Sequence, residues 1–222
     1  MTKRAVIYLW IMFGCIFSGI AQSSEQPISY FEGSIEYKVS VEGADKAILF
    51  ENEPNTQMAM HIKDGDYIVN LIGGRYPKTF MFIADSNFEY SIDMNNKRAF
   101  RVSIYNHFKP MWVRPPAIPN GETETINGVL CDVYEVKTDS SYTKIWASEK
   151  YRVNTDFYHN KKRAQANYLL PGLEGRIPIK TIKKEKGLTS TITMSKITPI
   201  KFRKEQFTIP PDFVIKNRDN RW

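Results

Sequence analysis

Cysteine is almost absent from this 222-residue chain, which holds only two, and histidine is nearly as scarce at three. One of the cysteines, Cys15, lies in the apolar stretch near the start of the chain. If that stretch is removed, Cys131 is left without an intramolecular partner, so no disulfide framework can staple the fold. The histidines His61, His107 and His159 have neither HxH nor HExxH spacing, so no zinc motif is present. Also missing are a Walker glycine loop, a Rossmann fingerprint and a G-x-S-x-G elbow. These absences lead to the expectation of a non-enzymatic protein with no metal and no cofactor.

Long hydrophobic runs are missing too, with one exception. "MTKRAVIYLWIMFGCIFSGIAQ" places Lys3 and Arg4 before an uncharged, mostly apolar stretch from Ala5 to Ala21, closed by small residues. That pattern describes a secretory signal peptide cut after Ala21. The expected organisation is a signal at 1–21 and one domain over 22–222, periplasmic or secreted. Phe13, two residues before Cys15, fits a lipoprotein signal poorly, so Cys15 is read as part of the discarded segment. The formal charge is +7, from 31 basic and 24 acidic residues. A moderate basic excess suits acidic glycans, anionic headgroups or peripheral membrane contact. Nucleic acid is not an expected partner of an exported chain.

What the chain does have is alternation. "SIEYKVSVE", "QMAMHIKD", "DYIVNLIGG", "KTFMFIAD", "NFEYSIDM" and "KRAFRVSIY" each set apolar residues at every second position. Between them stand "DGD", "GGRYP", "DSN" and "NNK", all turn chemistry. Period-two runs with tight connections predict an antiparallel meander with one face toward solvent. "NHFKPMWVRPPAIPNGE" interrupts it with four prolines and reads as a loop of about fifteen residues. Strands resume at "VLCDVYEVK" and "YTKIWAS". A short helix is expected from Asn160 to about Leu170, and two long strands in "RIPIKTIKKEKG" and "LTSTITMSKITPI".

Side chains that could do chemistry read as structural. Cys131 lies mid-strand, away from any aid to thiolate formation, and is expected to be a packed thiol. Glu122 and Glu124 of "ETE" share a strand face, as a glycosidase pair would, but such a pair in an exposed strand is far more often a solvated face. The basic sets Lys161–Lys162–Arg163 and Lys180, Lys183, Lys184 and Lys186 read as strand and helix surface.

The order "FEGSIEYKVS", "INGVLCDVYEVK", "YTKIWASEKY", "LPGLEGRIPIK", "TSTITMSKI" and "FTIPPDF" resembles the uncharacterised secreted or periplasmic proteins of the LolA/LppX-like half-barrel superfamily of Gram-negative bacteria. Its "LPGL" is also similar to the GLPGLI family. The resemblance implies a mainly β fold with minor α: a strongly curved antiparallel sheet forming an open half-barrel, plugged by a short helix and loops. It further implies that the concave side holds acyl chains or a lipid anchor. Alternation then nominates Tyr37, Val39, Met58, Met60, Val69, Phe80 and Phe82 as lining, with Trp112 as a lid. The expected partner is a lipid, a lipid-anchored molecule or another apolar ligand. The alternative is an envelope interaction module that binds a partner protein or acidic glycan through its basic outer face. Export is checked by Edman sequencing of the secreted product, which should begin at Gln22.

Overall fold

The computed structural model describes residues 29–43, 55–74, 78–86, 88–103, 115–158 and 171–217. The predicted signal, the lid Trp112 and the helix expected after Asn160 lie outside the described residues. Twelve strands follow one another. They are β1 (Gly33–Gly43), β2 (Gln57–Lys63), β3 (Asp66–Ile72), β4 (Lys78–Ile83), β5 (Phe88–Asp93) and β6 (Arg98–Ser103), then β7 (Ile118–Ile126), β8 (Val129–Lys137), β9 (Ser141–Arg152), β10 (Arg176–Glu185), β11 (Leu188–Pro199) and β12 (Val214–Asn217). Two single-turn 3-10 helices, Thr155–Tyr158 and Lys204–Phe207, are the helical elements among the described residues.

All twelve strands form one sheet, in the order β12-β6-β5-β4-β3-β2-β1-β11-β10-β9-β8-β7. The chain therefore makes two meanders, β1 to β6 and β7 to β11, sewn together where β1 pairs antiparallel with β11 from Gly33↔Pro199 to Gly43↔Leu188. Turn chemistry sets the hairpins. At Asp64–Gly65, Asn127–Gly128 and Lys186–Gly187 both turn residues have positive φ, between 43° and 86°. That is the two-residue geometry whose twist matches paired strands. At Gly65 a side chain would also collide with Phe157, whose ring would lie 2.4 Å from an added Cβ.

The sheet is curved and unclosed. Strands β1 to β4 and β7 to β11 all contribute to one apolar cluster, including Ile35, Val69, Phe82, Cys131, Val133 and Ile179. Strands as far apart in sheet order as β4 and β8 can share a cluster only if the sheet wraps around it. Bulges at Glu36/Tyr37 and around Pro178 supply local bends. Two long-range bonds hold the wrap: Asn127 donates from Nδ2 to the Met194 carbonyl (2.7 Å), and the Tyr37 hydroxyl donates to the Pro178 carbonyl (3.1 Å).

Two expectations need correction. The proline-rich loop is shorter than the sequence suggests, because β7 already begins at Ile118 and carries Pro119 and Gly121. Proline is tolerated there because β7 lies at the sheet edge, where a missing N–H costs no ladder bond. The first meander also does not leave its outer face to solvent. Met81, Tyr90, Ile92 and Ala99 form a second buried cluster on that face, covered by Ile209 and Phe213 of the C-terminal segment. Strands β3 and β4 carry apolar residues at both parities, so alternation understates how much they bury.

The C-terminal segment is tied down along its length. Glu32 accepts the Phe202 N–H through Oε1 (2.9 Å), Lys204 pairs with Asp85 (2.5 Å), and Lys97 pairs with Asp212 (2.7 Å). Strand β12 then pairs parallel with β6. Under this segment, Phe202 packs edge-on against His61 at 5.5 Å, and the Nδ1 atom of His61 is buried without a hydrogen-bond partner. Desolvation holds the His61 imidazole below its ordinary pKa, opposed by the nearby Glu36 carboxylate. The folded chain thus binds that proton less tightly than the unfolded chain. This contribution to stability is complete above the ordinary histidine value of about 6.5 and is lost as pH falls from there through the lower folded pKa. Thermal unfolding followed between pH 7.5 and 5 should show a smaller fall in Tm for His61→Gln than for the unmodified chain.

Candidate functional site

The candidate site is the concave face of the first meander, whose register arranges apolar side chains in three cross-strand rows. Ile62, Tyr67 and Phe82 form the first row, paired Ile62↔Tyr67 and Tyr67↔Phe82. The second runs Ile35, Met60, Val69, Phe80. The third runs Tyr37, Met58, Leu71, and ends at Lys78. Burial declines from the first row to the third. Every member of the first is buried, at 3%, 4% and 0% exposure. In the second, Phe80 is half-buried, and in the third Met58 and Leu71 are half-buried while Lys78 is exposed. This concave apolar face, here called the trough, is fully packed at the end near Phe82 and less buried at the end near Leu71.

The nominated residues divide along this gradient. Tyr37, Met60, Val69 and Phe82 belong to the buried cluster, whereas Met58 and Phe80 pack against it with surface to spare. Val39 is half-buried and sits opposite Ile192 of β11. All seven do share one side of β1 to β4, because their pairings connect without a register shift between β1 and β4. The sequence reading omitted Leu71, although its alternation with Tyr67 and Val69 marked it. It also omitted Ile182 and Ile192, which pack against the same cluster from the second meander. In "LTSTITMSKI" the intervening threonines disguise the alternation. The Tyr37 phenol, fully desolvated, has its pKa pushed up by burial and stays protonated, which suits its hydroxyl as a donor to Pro178.

Several of the side chains weighed for chemistry have structural occupations. Cys131 is 1% exposed within the main cluster and donates weakly from Sγ to the Val129 carbonyl at 3.3 Å. Burial pushes the thiol pKa up, away from the thiolate a nucleophile needs. Strand β8 buries both faces: Cys131 and Val133 join the main cluster, Tyr134 and Val136 a separate one with Ile145 and Leu173. Glu122 pairs with Lys144 (2.8 Å), which holds its carboxyl below the usual range. Glu124 accepts from Trp146 Nε1 (2.6 Å), and Lys180 and Lys144 lie over the same indole at 4.7 and 5.4 Å. Lys183 pairs with Glu185 (2.5 Å). Among the described residues no group of His, Cys, Asp or Glu is arranged to hold a metal ion, and His107, His159 and Lys161–Arg163 fall outside them. Among the described residues, no helix is long and apolar enough to cross a membrane.

This geometry defines an open, mainly antiparallel half-barrel with an apolar concave face. The chain is similar to several solved structures, among them the LolA superfamily protein NE2245 from Nitrosomonas europaea, at 11% identity over 82% of this chain and 91% of that one, with a TM-score of 0.36. An uncharacterized conserved protein from Thermus thermophilus is 6% identical over 82% of this chain and 90% of its own, with a TM-score of 0.48. PNGF-II is 11% identical over 85% of this chain, with a TM-score of 0.47, and the chain spans only 32% of the PNGF-II chain. These likenesses concern the sheet and are too distant to carry an activity across. No family model and no curated protein matches the sequence.

Replacing Cys131 with serine would leave a hydroxyl buried beside apolar neighbours and should cost about 1 kcal/mol of unfolding free energy. With Cys15 already replaced by serine, Cys131 should react with a thiol reagent only as fast as the protein opens. Rapid labelling of the folded chain would place the thiol outside the core.

Proposed function

We propose that this chain is an exported, non-enzymatic protein of the cell envelope that holds a lipid, a lipid-anchored molecule or another apolar ligand in the trough. The observation that carries the reading is the burial gradient. A trough that is packed at one end and leaves Met58, Leu71 and Phe80 half-exposed at the other can receive a flexible apolar chain without breaking its own core. Methionine and phenylalanine suit such a role, because the thioether adapts to irregular shapes and the ring supplies area. Pockets for apolar ligands are lined in this way, with few polar groups to fix orientation.

The engagement of Cys131, Glu122 and Glu124 in packing, an ion pair and an indole contact supports the non-enzymatic part of the reading. The rival, an interaction module acting through the basic outer face, receives less support. Of the basic set on and after β10, Lys183 is paired with Glu185 and Lys180 lies over Trp146, which leaves Lys184 and Lys186 exposed.

Native mass spectrometry of protein purified from its own compartment without detergent should show a reproducible added mass that extracts into organic solvent. Phe80→Asp places a charge on the half-exposed part of the trough and should reduce that occupancy at least tenfold while leaving the circular dichroism spectrum unchanged. A clean apo mass that takes up no added lipid would overturn the reading. If Lys183→Glu with Lys184→Glu abolished activity while ligand mass persisted, the rival would stand in its place.

A further inference from the structure

The C-terminal segment, residues 200–217, leaves β11 after Pro199 and covers the outer face of the first meander. Phe202 meets the His61 ring edge-on, and Phe207, 2% exposed, packs against Phe202 at 5.6 Å. Ile209 and Phe213 then close over Met81, Tyr90, Ile92 and Ala99. The polar fastenings of the segment lie in water. Both partners of the Lys204–Asp85 pair and of the Lys97–Asp212 pair are more than half exposed, and all four residues of β12 are exposed. Exposed pairs contribute little energy, and a segment held by them and by one short strand opens more easily than a core.

Beneath this cover His61 sits between Ser34 of β1 and Ile68 of β3, its Nδ1 buried without a hydrogen-bond partner. A proton taken up there would meet no acceptor at Nδ1. It would also lie under a basic stretch of the cover, where Lys201, Arg203 and Lys204 surround Phe202 in sequence. The charged groups on the elements around His61 are largely committed elsewhere. Glu36 of β1 favours the charged ring but lies 3.8 Å from Lys196. Glu32, just before β1, accepts from Lys63 of the same strand as His61 and from the Phe202 N–H. Asp66 of β3 accepts the Ala84 N–H at 2.6 Å. Desolvation outweighs Glu36 and holds the imidazole pKa down.

We propose that the C-terminal segment is an acid-released cover, opened by protonation of His61, which bares a second apolar face on the outside of the sheet. With the cover closed the ring is desolvated, and with it lifted the ring meets water and binds a proton more tightly. Proton uptake therefore favours the open form. Release begins as pH falls through the ordinary histidine value of about 6.5 and grows until the lower pKa of the closed form is reached. Asp66 acts in the opposite sense, because burial raises its carboxyl pKa and acid favours its buried form. The open form presents Met81, Tyr90 and Ile92 to solvent, an apolar patch distinct from the trough. This release does not depend on what the trough holds.

Hydrogen exchange read by mass spectrometry on the purified full chain tests this, with rates at each pH referred to those of the unfolded chain. Peptides from 200–217 should be less protected than peptides from β8 and β9 at both pH 7.5 and pH 5, the mark of opening short of unfolding. Their protection should fall at least about threefold from pH 7.5 to pH 5. His61→Gln should abolish that fall. Lys97→Ala, which removes an exposed fastening, should speed exchange of the segment at both pH values and leave the ratio between them intact. Equal protection of segment and core would show that the cover lifts only when the whole fold does, and the proposal would fail. It fails too if protection is the same at both pH values, or if His61→Gln keeps the full response, which would make the carboxylates the trigger.

Discussion

The structure depends on enclosing one apolar cluster with almost nothing but sheet. Ile35, Val69, Phe82, Val133 and Ile179 come from strands spread across both meanders, and the described helical segments are single turns. A flat sheet would leave that face in water, and each large side chain exposed would forgo roughly 1.5–3 kcal/mol of transfer free energy. Wrapping is the alternative, and it requires the two meanders to be joined edge to edge. The β1–β11 pairing does this, and its bulge at Glu36/Tyr37 lets the strands bend while Tyr37 stays directed at Pro178.

The outer face is finished by a different device. The C-terminal segment lays Ile209 and Phe213 over Met81, Tyr90 and Ile92, with ion pairs to Asp85 and Lys97 at its two ends. Both pairs are exposed and contribute little energy by themselves. They set the path of the segment, while the buried rings beneath it supply the stabilisation. His61 lies under the same cover, at the cost of an unpartnered nitrogen.

Much of the architecture could be read from alternation. The strand positions, the two-residue turns at Asp64–Gly65 and Asn127–Gly128, and the side of β1 to β4 that carries Tyr37, Met60, Val69 and Phe82 follow from local pattern, because period two is a local property. What could not be read depends on partners distant in sequence. Edge position is one such property, and it alone explains how Pro119 sits in a strand. The covered outer face is another: Tyr90 and Ile92 look like a core-facing pair in sequence, and they are one, but toward the C-terminal segment rather than the trough. Within the trough, composition could nominate the lining but could not order it. The distinction between buried Phe82 and half-exposed Phe80 arises from their rows in the curved sheet, which no single strand encodes.

The seam between β1 and β11 also governs when the molecule can come into being. Its partners, such as Tyr37 and Met194, lie near opposite ends of the described chain, and β6 acquires its outer neighbour only from residues Val214 to Asn217. Neither meander can be enclosed by the other until nearly all of the polypeptide is available, and contacts of such long range form slowly. Until then the early strands present open edges and a bare apolar face, the condition in which sheets pair with the wrong neighbour. The concave apolar face is therefore among the last things to exist, and the nascent first half is the stage most in need of protection.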